Sequence, residues 1–259
     1  MTFETDTILK LAPGVWMLNA VDNCLWADLG EGVLVVDALE DLSMCPLIPE
    51  DILATAGKPM KWVVNTHGDS DHVACNAGWA AGGATILAHE EVARKLAGRP
   101  GCPSVTFTDR YTLEGDRQDA HLRWLGGAHS PGDTIVYLPH ARILCIGDLF
   151  SWGLIPFPAF DTGRAARLVE VLNSILEYDA DTIVCGHGPV LTPEHIRRWL
   201  NYFEELRHTV SALAEKGLSL EAILAECPPP DDMRGWWRFT EWKHNQNISV
   251  LLGEKGKRE

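Results

Sequence analysis

The stretch Lys61-Trp62-Val63-Val64-Asn65-Thr66-His67-Gly68-Asp69-Ser70-Asp71-His72 decides how the rest of this 259-residue chain is read. Its first half is a short apolar run with the β-branched and aromatic content of a buried strand. Its second half sets four imidazole or carboxylate groups, His67, Asp69, Asp71 and His72, inside six residues. That density is wrong for a core and awkward for a solvated face. It suits a reactive loop, because a strand end is rigid while the loop after it is open. Imidazole and carboxylate are the side chains that bind divalent metals.

Working outward, the same arrangement recurs. His129 to Asp133 precedes the apolar run Thr134–Leu138, Asp148 follows Ile143–Ile146, and His187 follows Thr182–Cys185. One histidine beside a glycine is ordinarily a loop residue; four polar clusters in order, each at the end of a strand-like run, are not. Between them the chain alternates. Val15–Leu18, Cys24–Leu29 and Val33–Val36, bounded by Gly and Asn, read as antiparallel hairpins. Helices are expected at Pro49–Ala56 and from about Glu90 to Leu96. Over Arg164–Tyr178, Leu168, Val171, Leu172, Ile175 and Leu176 repeat at helical spacing. A long helix is expected after Thr192-Pro193, where Thr192 caps and Pro193 suits the first turn. Pro228-Pro229-Pro230 ends a shorter helix after it, and Trp236, Trp237, Phe239 and Trp242 mark the tail.

Taken together, the clusters resemble the signature of the metallo-β-lactamase superfamily. Thr66 to His72 is similar to its His-x-His-x-Asp-His motif, and Ala128-His129-Ser130-Pro131-Gly132-Asp133 to its second histidine motif. Ile146-Gly147-Asp148 resembles its Gly-Asp element and Cys185-Gly186-His187-Gly188 its last Gly-His-Gly. Asp37 matches an aspartate found behind the metals. The resemblance implies an α/β fold, a four-layer αβ/βα sandwich, over one domain spanning 1–259, with a helical and Trp-rich extension from about 192. It also implies two divalent metal ions. His67, Asp69 and His129 would hold one, Asp71, His72 and His187 the other, with Asp148 between them; in a hydrolytic mechanism Asp71 or a metal-bound group would handle the proton.

Asp69 departs from the pattern, which has a second histidine there. Asp69, Asp71 and Asp148 make three negative ligands against the usual two, leaving the site one unit less positive. Zinc is the expected metal, but a more anionic, harder donor set raises the claim of iron or manganese. Flavodiiron proteins, also of this superfamily, carry an acidic residue at this point and bind iron.

The remaining composition bounds function. With 36 Asp plus Glu against 22 Lys plus Arg, the net charge is -14, which repels nucleic acid and anionic lipid. No secretory signal, membrane span or low-complexity segment is read. Seven cysteines without a C-x-x-C read as reduced thiols, mostly packed as small apolar groups in a cytoplasmic protein. The expected activity is hydrolysis of a small ester, lactone, thioester or amide by a metal-bound hydroxide. A non-haem iron oxygenase using His67, His129 and Asp148 is one rival reading, and a non-catalytic metal-binding protein another. Phe150, Trp152, Leu154, Ile155, Phe157 and Phe160 are candidates for a pocket wall or for packing under the C-terminal helices; the Trp236–Trp242 cluster could close the pocket or form a homodimer contact. His89, His121, His140, His195, His208 and His244 match no motif and read as structural or surface residues.

Overall fold

Residues 7–150, 152 and 162–253 are described in a computed structural model. The chain begins with β1 (Thr7–Ala12), β2 (Val15–Asn19), β3 (Cys24–Asp28) and β4 (Val33–Val36), then α1 (Leu47–Ala56) and β5 (Met60–Asn65). Next come α2 (Ser70–Val73), α3 (Asn76–Ala81), β6 (Thr85–His89), α4 (Glu90–Lys95) and β7 (Val105–Phe107). The second half holds β8 (Arg110–Leu113), β9 (Ala120–Trp124), β10 (Thr134–Leu138), β11 (Ile143–Gly147), α5 (Thr162–Ile175) and β12 (Thr182–Cys185). It closes with α6 (Pro193–Glu215), α7 (Leu220–Glu226) and α8 (Glu241–Leu251).

Among the described residues the strands form two sheets. The first runs β1-β2-β3-β4-β5-β6-β7, antiparallel up to β4 and parallel from β4 to β7. The second runs β12-β11-β10-β9-β8, antiparallel except for the parallel pair β11 and β12. Strand alternation explains the layering. Leu34, Val36, Val64 and Leu87 point inward to meet Leu122, Val136, Ile143, Cys145 and Val184 of the other sheet. Their neighbours Val33, Val35, Val63 and Ile86 point the other way and pack under Ile48, Ile52 and Trp79 of α1 and α3. On the far side Ile135, Leu144, Ile146 and Ile183 pack against Leu168, Leu172, Trp199 and Phe203 of α5 and α6. Helix, sheet, sheet, helix is the four-layer αβ/βα sandwich expected.

Two strand pairs with parallel neighbours, β4–β5 and β11–β12, end on the same edge, and Thr134 donates its amide to Thr66 O at 2.8 Å across the sheets. The sandwich therefore delivers the loops after these strands to one place. Gly- and Ala-rich residues at 76–81, which carry weak helix signals, fold as α3, and Trp79 Nε1 donates to Cys45 O.

The cysteine reading needs correction. Cys45 and Cys75 are disulfide-bonded, with Cα atoms 5.2 Å apart across 30 residues. Neither spacing nor local motif points to that pair; it exists because α1 and α3 lie side by side on one face of the first sheet. Disulfides persist in oxidising compartments, so the pairing removes the thiol argument for a cytoplasmic location. Cys24, Cys145 and Cys185 do pack as small buried groups, and burial pushes their thiols up, away from the reactive thiolate. Among the described residues no helix is long and apolar enough to cross a membrane.

Asp28, at the end of β3, is buried where the two sheets meet. It accepts from Lys58 Nζ at 2.8 Å and Gly30 N at 2.9 Å, and pairs with Arg117 from the β8–β9 connection. Burial alone would raise its carboxyl, but Lys58, the Gly30 amide and Arg117 outweigh it and hold the group below its ordinary value. A carboxyl depressed by folding adds stability above its unfolded pKa and loses it as pH falls through the folded value. Asp28→Asn should therefore destabilise the fold by about 2 kcal/mol near neutral pH, since Lys58 is partly and Arg117 largely solvated. Denaturant melts should show the difference from wild type shrinking below about pH 4. For the thiols, titration of denatured, unreduced protein should find five per chain, rising to seven after reduction.

Candidate metal centre

Asp37 organises the site from below. It follows β4 at φ +64°, and its Oδ1 accepts from Thr66 N at 2.7 Å. Its Oδ2 accepts from Thr66 Oγ1 at 2.8 Å and lies 2.9 Å from His72 Nδ1. With Nδ1 committed to Asp37, the His72 ring presents Nε2 to the opposite side. Asn65 Nδ2 donates to His72 O at 2.9 Å, and Ala38 N donates to the same carbonyl, so the turn from β5 through α2 is held at both ends.

The other loops are fixed as firmly. Asp133 is a buried carboxylate accepting from Ala128 N, His129 N and Ser130 N at 3.1, 2.7 and 2.7 Å, and from Ser130 Oγ at 2.6 Å. It shapes the loop that presents His129. Asn23 Nδ2 donates to Cys185 O and Gly188 O at 3.0 and 2.7 Å, bracketing His187. His187 Nδ1 lies 2.9 Å from Val21 O and 3.2 Å from Asp22 Oδ1, which turns Nε2 inward. Gly186 is required by space: a Cβ there would stand 2.1 Å from Asp148 Oδ1 and 2.5 Å from His72 Cε1.

All seven residues expected as ligands converge. Ligand atoms of His67, Asp69 and His129 lie within 4.8 Å of one another, as do those of Asp71, His72, Asp148 and His187. In the first group Asp69 Oδ2 is 3.4 Å from His129 Nε2 and 3.7 Å from His67 Nε2. In the second, His187 Nε2 is 3.2 Å from both Asp71 Oδ2 and Asp148 Oδ2. Asp148 Oδ2 also lies 3.8 Å from His129 Nε2, placing this carboxylate between the groups. Neighbouring imidazoles touch, with His67 and His72 ring centres 4.0 Å apart.

His187 Nε2 pairs with Asp71 and Asp148, but other inward-facing atoms are left unbonded. His67 Nε2, His72 Nε2 and Asp148 Oδ1 are buried and lack hydrogen-bond partners among the described residues; the last two are 3.4 Å apart. Each orphan ordinarily costs about 1–3 kcal/mol, and three aimed into one space call for a common partner. The charge pattern agrees. Burial drives the His67 imidazole toward its neutral form. Burial also opposes charging His72, but Asp37 and Asp148 outweigh it and raise the ring to about 9. Asp148 would be raised by burial, yet His72 and His187 hold it well below its usual range. An anionic, imidazole-lined cluster that takes up protons when bare exchanges them for cations. These residues could therefore hold divalent metal ions.

Beside the first group a cavity of about 330 Å³ opens between Gly68, Val92, Lys95, Ser130 and Gly132. A larger one, about 610 Å³, is lined by Leu53, Met60 and Trp79 behind α1 and α3, away from these ligands. Phe150 and Trp152 pack in the core beneath α6, within 6.3 and 5.9 Å of Trp236, so these two do not form a free pocket wall. Leu154, Ile155, Phe157 and Phe160 lie outside the described residues. Trp237 lies against Gly188, where a Cβ would meet its ring at 2.3 Å, and so reaches the loop that carries His187.

Three of the unassigned histidines have structural roles: His89 caps α4, His195 Nδ1 accepts from Thr192 N, and His244 bridges Tyr202 and Cys227. The supports missed in the sequence, Asn23, Asn65 and Asp22, sit in no motif. The local signal available was a polar residue immediately beside an apolar run.

Comparison with known proteins places this geometry in a family. One curated relative is the 2,4-dinitroanisole O-demethylase subunit alpha of Nocardioides sp. (strain JS1661), 30% identical over 101 residues, 37% of this chain and 31% of that one. The chain thus matches about a third of that relative's length. Among solved structures, a metallo-beta-lactamase from Pontibacter korlensis superposes with a TM-score of 0.63 at 22% identity, covering 75% of this chain and 97% of that one. The stereoselective inverting sec-alkylsulfatase of Pseudomonas sp. gives a TM-score of 0.72 at 17% identity, covering 95% of this chain and 49% of that one. The model of the metallo-beta-lactamase superfamily matches residues 21–187, the stretch that carries every one of these ligand candidates, and the chain belongs to that superfamily.

Proposed function

We propose that this chain is a hydrolase that works with two divalent metal ions and acts on a small substrate. The carrying observation is the pair of adjoining ligand groups, His67–Asp69–His129 and Asp71–His72–Asp148–His187, with buried imidazole nitrogens turned to the space between them. Divalent ions there would supply Lewis acidity and lower the pKa of water. The chain's residues do the rest. Asp37, Asp22 and Asp133 fix the orientation of His72, His187 and His129, so that little reorganisation accompanies binding. Asp71 would be raised by burial, but His187 and His72 hold it below its ordinary value. It is therefore ionised at neutral pH and can accept the proton lost by the attacking water. The cavity beside Lys95 and Ser130 offers room for part of a small molecule.

The substrate panel follows from chemistry and likeness together. Esters, lactones, thioesters and amides come first. The alkylsulfatase likeness adds secondary alkyl sulfates, and the O-demethylase match adds activated aryl methyl ethers. A second reading, iron-dependent oxygenation, is favoured by one observation. His67, His129 and Asp69 form a two-imidazole, one-carboxylate set, the donor combination of non-haem iron oxygenases. Oxygen uptake with iron-loaded protein separates that reading from hydrolysis.

Elemental analysis of protein purified without added metal or chelator should give about two ions per chain. Complete chelation should lower the melting temperature by roughly 5–10 °C, because bare carboxylates are left crowded and ligand stabilisation of a few kcal/mol is lost. A melting curve indifferent to chelation would sink the metal-centre reading. Asp71→Asn should cut turnover of any hydrolysed substrate by about a hundredfold or more in steady-state assays.

A further inference from the structure

Asp69 is the oddest member of the ligand set, and its surroundings differ from those of Asp71 and Asp148. Its side chain is 41% exposed, against 12% for Asp148. Only one of its oxygens faces the imidazoles: Oδ2 is turned to His67 and His129, while Oδ1 is paired with Lys95 Nζ. Lys95 closes the last turn of α4, whose start is capped by His89. Its neighbour Arg94 pairs with Glu90 and Glu91, so the two basic side chains have separate partners. Gly68 gives Lys95 its route: a Cβ at 68 would stand 3.1 Å from Lys95 Cδ. Val92, from the same helix, packs against Gly68 and Gly132 and holds α4 beside both histidine loops.

Resting on the two-ion reading above, we propose that Lys95 is a positioning residue for the metal centre, which occupies one oxygen of Asp69 so that this carboxylate presents a single donor atom. A lone carboxylate can chelate through two oxygens. With Oδ1 engaged by an ammonium, Asp69 offers one donor, as the neutral histidine of the superfamily pattern would at this position. The Lys95 charge also compensates the extra negative ligand that Asp69 introduces, so the aspartate and the lysine together replace one imidazole. Denticity then sets preference. One-oxygen coordination keeps the coordination number low, which suits zinc, whereas a second oxygen favours manganese, which takes six oxygen-rich ligands. The charge removed with Lys95 acts almost equally on any divalent ion, so it largely cancels in a ratio of affinities and leaves the effect of denticity.

The test is competitive titration of chelator-stripped, full-length protein with zinc and manganese, reporting the ratio of affinities at each of the two binding steps, with the largest shift taken as the readout. Lys95→Met should shift that ratio toward manganese by about fivefold or more. Lys95→Arg, which still engages Oδ1, should stay within about twofold of wild type. In an Asp69→His background, Lys95→Met should change the ratio less than about twofold, because the partner through which it acts is gone. Melting of the metal-free forms checks that each variant folds. An unchanged ratio in Lys95→Met, an equal shift in both backgrounds, or an Arg variant that behaves like Met would overturn the role of Lys95. Wild-type protein that takes up neither metal would overturn the two-ion reading itself, and with it this role.

Discussion

A buried carboxylate at positive φ, Asp37, is the point from which the site is built. It satisfies Thr66 through both backbone and hydroxyl and fixes the His72 ring. Those bonds join the end of β4 to the loop after β5, and they are possible only because the two strands are parallel neighbours ending on the same edge. Once Nδ1 of His72 is committed, its Nε2 has no hydrogen-bond partner among the described residues and faces Asp148 Oδ1 at 3.4 Å. The second sheet is tied to this anchor by the Thr134–Thr66 bond and by the close fit of Gly147 against Thr66, where a Cβ would stand 2.5 Å from Oγ1. A substitution that loosened Asp37 would disturb candidate ligands on both sheets.

How much of this could be read in the sequence depends on range. The strands and the four candidate ligand clusters are local signals: a dense set of imidazoles and carboxylates sits at the end of an apolar run. His67, Asp71, His72, His129, Asp148 and His187 could be picked out as candidates for that reason, and the structure brings them together; the order of elements that carries them was legible too. Asn23 was not, because its partners Cys185 and Gly188 are 162 and 165 residues away. The Cys45–Cys75 bond was misread for the same reason: packing of α1 beside α3 creates it, and nothing near either cysteine announces it. Thr7–Ala12 and α8 were also passed over, since a half-exposed edge strand and a helix of weak amphipathicity carry little periodic signal.

Asp69, which stands where the family pattern has a histidine, and Asp133, which ends the second histidine motif, have opposite fates. Asp133 is buried and turned back onto its own loop, taking hydrogen bonds from three successive amides, so it supports His129 from behind. Asp69 is partly open and turned toward His67 and His129. Residue type alone does not separate these roles. Backbone context does: Asp133 closes a tight Ser-Pro-Gly turn whose amides converge on it, whereas Asp69 caps the one-turn helix α2 at an extended φ, ψ without a side-chain bond to that helix, which leaves its carboxylate to Lys95 and the site.

The C-terminal helices bear on the site through packing. Trp236 joins Phe150 and Trp152 in the core of the outer helical layer, while Trp237 rests on Gly188. The loop bearing His187 is thus held by Asn23 and Asp22 from the first sheet and by an indole from the segment between α7 and α8. A side chain at position 188 would have to displace that indole or move the loop, and the residue also sits at φ +81°, where a Cβ is strained. The glycine after His187 is therefore needed by the tail as much as by the turn. This is how the C-terminal helices, distant in sequence from the candidate ligand motifs, become part of what fixes their geometry.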